Sequence, residues 1–372
     1  MFRKFQCDVA LVWKWLDVSR YSCAVIGVGA PQDSMRRGGG HQIGYTHARM
    51  FQSSPATSLT ACADIRPENL AAFQREFEVG SGYGDYREML VREKPDIVSI
   101  CTYVGLHEEM LAACVEAGVR AVVCEKPFVN SPAALRRVEK LLDGAPTKVV
   151  VAHVRRYLPA YRRAAELYRS GAVGDPVLCL FGIPDWDLAE MGAHYFDLAR
   201  MLHGDRPVRW VMGQARVTDS RGYGHAMEDH ALAYFEFEGG GKAMIDAGIG
   251  TNGPFTFLGT AGTIRCSREA VVEVQTADGK RVEDFSDDPG TGWPAIWSAT
   301  LADLIGWLEG GPEPGVSARQ GLLSSELYLA AYLSAWRGDR VDLPLIDSMD
   351  EWPVEALARR SASAGRLEGQ TR

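Results

Sequence analysis

Five short apolar runs alternate with helical patterns in the first half of the chain, and this alternation limits the fold more than any other feature. Because the runs contain few polar residues, each is expected to be buried on both faces, as strands of a parallel sheet are. Helices that connect such strands cover both faces of the sheet, and right-handed connections make it doubly wound. The predicted strands are Ser22–Val28, Leu59–Asp64, Asp96–Thr102, Ala121–Cys124 and Lys148–Val154.

The helices predicted between these strands carry recognisable start signals. Pro67 is suited to the first position of a helix, where its missing N–H costs nothing. Ser131 is a good N-cap residue for a helix that runs to Leu142. Further helices are predicted around Glu88–Arg92 and Glu108–Ala117. The sequence thus predicts an α/β domain over residues 21–150.

The pattern changes after about residue 155. A helix is predicted over Pro159–Arg169, and two late helices around Ala295–Leu308 and Ser317–Ala335. The strands between them are joined by glycine-containing turns, which is typical of antiparallel neighbours. The sequence therefore predicts an α+β domain over residues 151–346 with a large, mostly antiparallel sheet. Its predicted strands are Val177–Ile183, Val208–Val217, His230–Glu238, Ala243–Ile245 and Val271–Gln275.

Both ends of the chain are predicted to lie outside these domains. Residues 1–20 are interpreted as an N-terminal extension, because Lys14 interrupts the apolar stretch Val9–Trp13 and no cleavage pattern of a signal peptide follows. Residues 347–372 are interpreted as a polar, loose tail.

Charge and cysteine usage exclude several function classes. The formal net charge is −8, so the chain lacks the positive field that nucleic-acid backbones require. No apolar run approaches the roughly 18 residues of a membrane span, so we expect no membrane partner. None of the eight cysteines forms a C-x-x-C pair. This spacing disfavours a metal site, and buried free thiols favour a reducing, cytoplasmic location.

A glycine pair closes the first predicted strand. Gly27 and Gly29 permit a tight turn and a close approach of pyrophosphate to backbone N–H groups. The third glycine of a G-x-G-x-x-G fingerprint is expected at position 32, which is Gln32, and the next candidate is Gly44. We interpret this as a Rossmann fingerprint split by about twelve extra residues.

Asp64 ends the second predicted strand, where a carboxylate can bind the ribose 2′-hydroxyl of a dinucleotide. The alternative is that Asp64 is the N-cap of the helix that Pro67 opens. A carboxylate repels a 2′-phosphate, so NAD is favoured over NADP. Arg66, two residues further on, weakens that preference and leaves NADP open.

Lys126 follows the fourth predicted strand. Ligands of a doubly wound sheet bind at the carboxyl ends of its strands, and a lysine there can stabilise the alkoxide that develops during hydride transfer. Taken alone, a lysine at a strand end is more often a solvated charge.

Five segments, taken in order, resemble the Gfo/Idh/MocA oxidoreductase family over roughly residues 22–346. Glu125-Lys126-Pro127 matches the family's E-K-P signature. The other four segments are the strand 96–102 followed by His107, the R-[FY]-x-P stretch at 156–159, the F-x-G-T-x-G stretch at 257–262, and 341–344.

The family's second catalytic motif, D-x-G-x-H-x-x-D, is similar to residues 190–197. His194 matches its histidine, and Glu190 stands where the family has aspartate. The spacing i, i+4 places both on one helical face. The alternative for His194 is a structural histidine satisfied by Asp197 or by backbone. A second departure is that Thr102 is not followed by the usual proline.

The resemblance implies reversible oxidation of a secondary alcohol of a sugar, cyclitol or nucleotide-sugar, with NAD as the hydride carrier. It implies a catalytic role for Lys126, His194 and Glu190. It implies an open-faced sheet in the second domain that pairs subunits into a homodimer or homotetramer. The cofactor-binding residues it implies are Gly27, Gly29, Gly44, Asp64, Arg66, Thr102, His107, Glu125 and Lys126.

Substrate binding is assigned to Arg156 in the R-[FY]-x-P segment, and to Trp186 and Asp187 in the acidic, aromatic stretch before Glu190. A polar loop is the alternative for that stretch. Two other functions stay open at this point. One is an enzyme that keeps NAD bound and uses it transiently for hydrolysis or epimerisation. The other is a cofactor-binding sensor or scaffold without turnover.

Overall fold

The computed structural model describes residues 21–31, 42–218, 221–248, 254–267 and 269–369. The predicted extension 1–20 and most of the insertion in the glycine loop lie outside these residues. The domain limits predicted at residues 150 and 346 stay predictions.

Six parallel strands form the first sheet, in the order β3-β2-β1-β4-β5-β6. The doubly wound α/β sheet predicted from the sequence is therefore confirmed. The order reverses between β1 and β4, and such a switch point opens a crevice beyond the carboxyl ends of the two strands. The strands are β1 Tyr21–Ile26, β2 Thr57–Ala63, β3 Ser81–Tyr83, β4 Ile97–Ile100, β5 Ala121–Cys124 and β6 Lys148–Val151.

The helices of this half begin where the sequence supplies caps. The Asp85 side chain accepts a hydrogen bond from the N–H of Arg87 at the start of α3. The Ser131 side chain accepts one from the N–H of Ala134 at the start of α5, as predicted. The helices are α1 Ile43–Gln52, α2 Pro67–Phe77, α3 Tyr86–Glu93, α4 His107–Glu116 and α5 Pro132–Leu142.

Nine strands form the second sheet, in the order β16-β15-β14-β13-β7-β12-β11-β8-β17. Among the strands that the structure describes in this sheet, only β7 and β12 pair in parallel, so the prediction of a mostly antiparallel sheet is confirmed. Along β11, buried and half-buried residues alternate, because one face of the sheet packs on helices and the other does not. The strands are β7 Pro176–Pro184, β8 Val208–Arg216, β11 His230–Phe237, β12 Lys242–Gly248, β13 Phe255–Gly259, β14 Gly262–Ser267, β15 Val271–Thr276, β16 Gly279–Asp284 and β17 Val341–Asp342.

Helices cover the inner face of this sheet, and a short hairpin of β9 Arg221–Gly222 and β10 His225–Ala226 stands apart from it. The glycine turn at 239–241 joins β11 to β12 and the Asp278-Gly279 turn joins β15 to β16, as predicted. The helices are α6 Pro159–Arg169, α7 Gly192–Leu202, α8 Trp293–Leu308, α9 Ala318–Arg337 and α10 Pro353–Gly369. In the part of the chain that the structure describes, none of the helices has the length and apolar character of a membrane span.

The prediction of a loose tail after residue 347 is wrong for most of that segment. Helix α10 packs against α9, and Trp352, Val354 and Leu357 are buried. The segment is polar on average, but these apolar side chains lie on the face that docks. Such docking depends on a surface built by distant residues, which composition does not reveal.

Candidate active site

A cavity of about 280 Å³ lies beyond the carboxyl ends of β1, β2, β4 and β5. Its volume is close to the lower end of the range for small-molecule sites, about 300–1,000 Å³. It contains residues of both halves of the chain, since Glu190 and Tyr223 join residues of the first sheet. The predicted site residues in its wall are Gly27, Gly29, Asp64, Arg66, Thr102, Glu125, Lys126 and Glu190.

The turn after β1 is built for close approach of a ligand. Gly27 has φ +78° and Gly29 has φ +74°, a conformation that other residues rarely adopt. A Cβ on Gly27 would lie 2.5 Å from Cγ2 of Thr102. Gly44 lies behind this turn, where a Cβ would be 2.6 Å from the carbonyl oxygen of Val28. Gly44 therefore acts by letting α1 pack on the turn, and not by lining the cavity.

Asp64 is held against the glycine turn. Its carboxylate accepts hydrogen bonds from the N–H of Gly29 at 3.0 Å and from the N–H of Arg66 at 2.9 Å. The N-cap of α2 is Arg66, so the alternative that Asp64 is itself the N-cap is wrong. The carboxylate and the exposed Arg66 both border the cavity. A cradle of two positive-φ glycines with a carboxylate beside it fits the diphosphate and ribose of a dinucleotide.

Glu125 is a buried carboxylate with a partner that the sequence did not reveal. Its Oε1 lies 3.0 Å from Nε2 of His47, whose Nδ1 lies 2.8 Å from the hydroxyl of Ser99. Burial alone would raise the pKa of Glu125, but the hydrogen bond and charge of His47 and the charge of Lys126 outweigh it and lower that pKa. The available signal was the position of His47, three residues after Gly44 on the second turn of α1.

His107 braces the rim of the cavity from behind. Its ring nitrogens lie 3.0 Å from the carbonyl oxygen of Thr102 and 3.2 Å from that of Phe128. His107 is buried and is not part of the cavity wall. It therefore fixes the loops that carry Thr102 and Lys126, which differs from the direct contact with cofactor that we expected.

Lys126 and Glu190 meet across the two halves of the chain. The Lys126 ammonium donates to the backbone carbonyl of Glu190 at 2.9 Å and lies 3.4 Å from its Oε2. Burial would raise the pKa of Glu190, but Lys126 and then His225 outweigh it and lower that pKa. Glu190 is thus an ionised carboxylate that holds the lysine at the cavity wall.

His194 lies on the first turn of α7 and is buried. Among the described residues its Nδ1 has no hydrogen-bond partner, and Asp197 is bonded to Arg156 and Ser324 instead. The alternative of a histidine satisfied by Asp197 is therefore wrong. Burial, followed by the charges of Arg155 and Lys126, lowers the pKa of His194 well below its usual value. The ring is thus neutral and close to Lys126, although it is not part of the cavity wall.

Arg156 does not reach the cavity, contrary to our expectation. Its guanidinium is buried in ion pairs with Asp197 at 2.6 Å and Asp205 at 2.6 Å. The neighbouring Arg155 bonds to Glu269 at 2.8 Å, and it is the arginine whose charge acts on His194. Two consecutive arginines on a 3₁₀ turn face different directions, and spacing alone does not tell which one faces the site.

Asp187 is also placed differently from the prediction. It is buried, and its Oδ1 accepts a hydrogen bond from the N–H of Glu190 at 2.5 Å. Burial, with the charges of Glu228 and Glu190, raises its pKa well above the usual range. Asp187 therefore shapes the turn before α7. Trp186 stacks on Tyr223 with ring centroids 6.3 Å apart, so it supports a residue of the cavity wall.

His225 is a site residue that the sequence analysis missed. Its Nε2 lies 3.0 Å from Oε1 of Glu190, and its Nδ1 lies 2.7 Å from the carbonyl oxygen of Ala226. No local pattern connects position 225 with position 190, since the β9–β10 hairpin brings them together only in three dimensions.

Comparison with known proteins gives consistent matches over both halves of the chain. Residues 37–153 match the GFO_IDH_MocA oxidoreductase family, whose domain here is an NAD-binding Rossmann fold. Residues 161–265 match the GFO/IDH/MocA C-terminal domain.

Among the similar proteins, the D-apiose dehydrogenase of Paraburkholderia graminis is 27% identical over 94% of this chain and 95% of its own length. The inositol 2-dehydrogenase of Rhizobium meliloti is 25% identical over 80% of this chain and 94% of its own length. A levoglucosan dehydrogenase solved in complex with NADH has the same fold, with a TM-score of 0.74 and 20% sequence identity. The match covers 88% of this chain and 100% of the levoglucosan dehydrogenase chain.

Proposed function

Because the chain belongs to the Gfo/Idh/MocA family of NAD-binding oxidoreductases, we propose that it oxidises a secondary alcohol of a sugar, cyclitol or nucleotide-sugar with NAD, and reduces the ketone in reverse. The observation that carries the proposal is the contact of Lys126 with Glu190 in the wall of one cavity that also contains Gly27 and Asp64. Groups suited to a dinucleotide and groups suited to an alcohol thus share one space.

The first half of the site is suited to hold the cofactor. Gly27 and Gly29 have no side chain to obstruct a diphosphate at this turn, and Asp64 at the cavity wall would bind the adenosine ribose and disfavour a 2′-phosphate. Bound NAD would supply the acceptor for the hydride, which no side chain can provide.

Lys126 is proposed to bind the substrate oxygen. An ammonium donor at that position stabilises the negative charge that develops on the oxygen when hydride leaves the carbon. Glu190 fixes the ammonium by two contacts, and the lowered pKa of Glu190 keeps its carboxylate charged. His194 is proposed as the group that takes the hydroxyl proton, because its imidazole lies near Lys126 and, among the described residues, its Nδ1 has no hydrogen-bond partner.

The substrate class rests on the relatives. The similar proteins act, by their names, on D-apiose, inositol and glucosides, which are all polyhydroxylated. These three relatives are named dehydrogenases, and this chain has Lys126 and His194 at the motif positions, which favours turnover over a non-catalytic sensor.

The test is a fluorescence titration with NADH and NADPH, followed by a panel of pentoses, hexoses, inositols and nucleotide-sugars observed at the absorbance of the reduced cofactor. We expect NADH to bind more tightly than NADPH and at least one polyol to reduce NAD. Cofactor binding without reduction by any member of the panel would contradict the proposed function.

We further propose that the outer face of the second sheet pairs two subunits. Met212 is half-exposed on this face, and apolar side chains of the neighbouring strands are incompletely covered. These apolar side chains include Leu178, Leu180, Leu232 and Met244. An apolar patch of this kind is characteristic of an interface. Sizing with light scattering at micromolar concentration should give a dimer or tetramer, and a monomer would contradict the proposal.

A further inference from the structure

The two ring nitrogens of His225 face two hydrogen-bond acceptors. One is a backbone carbonyl, and the other is the carboxylate of Glu190, which cannot donate when it is ionised. Nδ1 lies 2.7 Å from the carbonyl oxygen of Ala226, and Nε2 lies 3.0 Å from Oε1 of Glu190. A carbonyl cannot donate, so Nδ1 carries a hydrogen. Nε2 can then bond to a carboxylate only if it is protonated as well. The contact between His225 and Glu190 thus requires one extra proton.

Glu190 thus lies between His225 and Lys126. One oxygen faces His225, and the other lies 3.4 Å from the ammonium of Lys126. With both partners protonated, the three side chains together carry one net positive charge. With Lys126 alone, the carboxylate would neutralise the lysine.

We propose that His225 is a positioning residue of the active site: as an imidazolium it orients Glu190 and balances its charge, so that the positive charge of Lys126 remains available to the substrate oxygen. This inference rests on the proposed function, because Lys126 meets a substrate oxygen only in a dehydrogenase of the kind described above.

The C-terminal segment holds His225 in this position. The ring of Trp352 lies 4.0 Å from the imidazole between centroids. Glu355 accepts a hydrogen bond from the N–H of Ala226 at 2.8 Å and pairs with Arg221 at 2.8 Å. The start of α10 thus packs behind His225 and fixes the backbone next to it.

The other acidic groups near the pair ionise less readily than Glu190 or have a partner of their own. Burial raises the pKa of Glu228 and raises that of Asp187 well above the usual range. Glu355 is charged but is already paired with Arg221. The charged and titratable groups that face the pair are Lys126, Asp187, Arg221, Glu228, Tyr332 and Glu355.

The protonation state can be read without any substrate. In the full-length protein labelled with ¹⁵N-histidine, the ring signals of His225 are assigned by their loss in His225→Gln. We expect both ring nitrogens to be protonated at pH 7. In Glu190→Gln the side-chain amide can donate to Nε2, so the ring should become neutral with the hydrogen on Nδ1. A neutral ring in the wild type, or an unchanged ring in Glu190→Gln, overturns the inference.

The effect on turnover is measured with the same His225→Gln variant, whose amide can still donate to Oε1 of Glu190 but carries no charge. We expect kcat to fall about tenfold, a fraction of what removal of a direct donor costs, while KM and NADH affinity stay within about twofold. The alkaline decline of kcat should move to higher pH by about one unit. In this variant the Glu190 carboxylate has lost its contact with a second cation and stabilises the Lys126 ammonium more strongly. Loss of the proton from His225 also no longer contributes to the decline of kcat.

His230→Gln is the matched control, because His230 forms a similar pair with Asp246 at 3.1 Å on the second sheet, and it should leave the pH profile unchanged. An equal loss of rate at every pH in His225→Gln would indicate a merely structural role and overturn the inference. Absence of turnover in the wild type with every polyol contradicts the proposed function instead, and the ring-nitrogen measurement still decides on His225.

Discussion

The backbone of Val28 lies directly against Gly44, where a Cβ would stand 2.6 Å from the carbonyl oxygen and 2.8 Å from the Cα of Val28. The two residues are separated by the insertion in the glycine loop. Gly44 nevertheless fulfils the packing role of the third glycine in a continuous fingerprint, which is to let the helix approach the strand closely.

Gly44→Ala should therefore destabilise the first domain and displace the glycine turn. The contact is with backbone, which cannot rotate away, and overpacking of this kind costs about 1–3 kcal/mol. Urea denaturation and NADH titration are the measurements, and NADH affinity should fall together with stability. Gly80→Ala serves as the control, because a Cβ on the exposed Gly80 meets nothing within 4 Å. Wild-type stability in Gly44→Ala would show that the turn is not packed as described.

Lys126→Met should reduce kcat by about a hundredfold or more, the scale on which such donors contribute. NADH affinity should stay close to that of the wild type, because Asp64 and the glycine turn are unchanged. Lys140→Met, on the exposed face of α5, is the control for the loss of a lysine. Near-normal turnover of Lys126→Met with an active substrate would remove this residue from the mechanism.

Lys126 could be placed from the sequence because it lies in a short motif at the end of a predictable strand. The motif at 190–197 also identified Glu190, but Glu190 lies in the turn before α7 and not on the helical face predicted to be shared with His194. The glycine turn and Asp64 could be placed as Lys126 was, since their positions follow from the strand order of a doubly wound sheet. The fold was predictable for a similar reason, since the periodicity of apolar residues is a local property that survives in one sequence.

His47, His225 and Arg155 were not found, because their roles depend on contacts between distant segments. His47 reaches Glu125 from α1, and His225 reaches Glu190 from a hairpin that β-propensity alone does not reveal. Arg156 was chosen over Arg155 because a motif names a position and not a side-chain direction. Helix α10 was missed because its burial requires the surface of α9.

Asp64→Asn should relax the preference for NAD over NADP. The amide oxygen can still accept the hydrogen bond from the N–H of Gly29, while the NH2 group replaces the oxygen that accepts from the N–H of Arg66, and the charge that repels a 2′-phosphate is removed. The ratio of kcat/KM for NADP to that for NAD should rise by about tenfold or more, which corresponds to about 1.4 kcal/mol. Asp278→Asn, on an exposed turn of the other domain, is the control. An unchanged ratio would mean that Asp64 does not face the ribose.

Glu228→Gln should make the protein more stable at neutral and alkaline pH. Burial raises the pKa of Glu228 in the folded state above its unfolded value. Its contribution to the free energy of unfolding is therefore complete below the unfolded pKa and is lost as the pH rises through the folded pKa. Glutamine is neutral at every pH and can accept the same hydrogen bonds from the N–H of Leu188 and the hydroxyl of Tyr332.

The two proteins should therefore have similar melting temperatures near pH 4, and the variant should melt higher by about 2–4 °C at pH 8, as expected for about 1 kcal/mol in a domain of this size. Calorimetry at pH 4, 6 and 8 measures the difference, with the exposed Glu238→Gln as control. A carboxyl group whose folded pKa is lowered has the opposite dependence of stability on pH. A difference in melting temperature that widens toward acid pH would therefore contradict the prediction and show that Glu228 is held as a charged partner of His225.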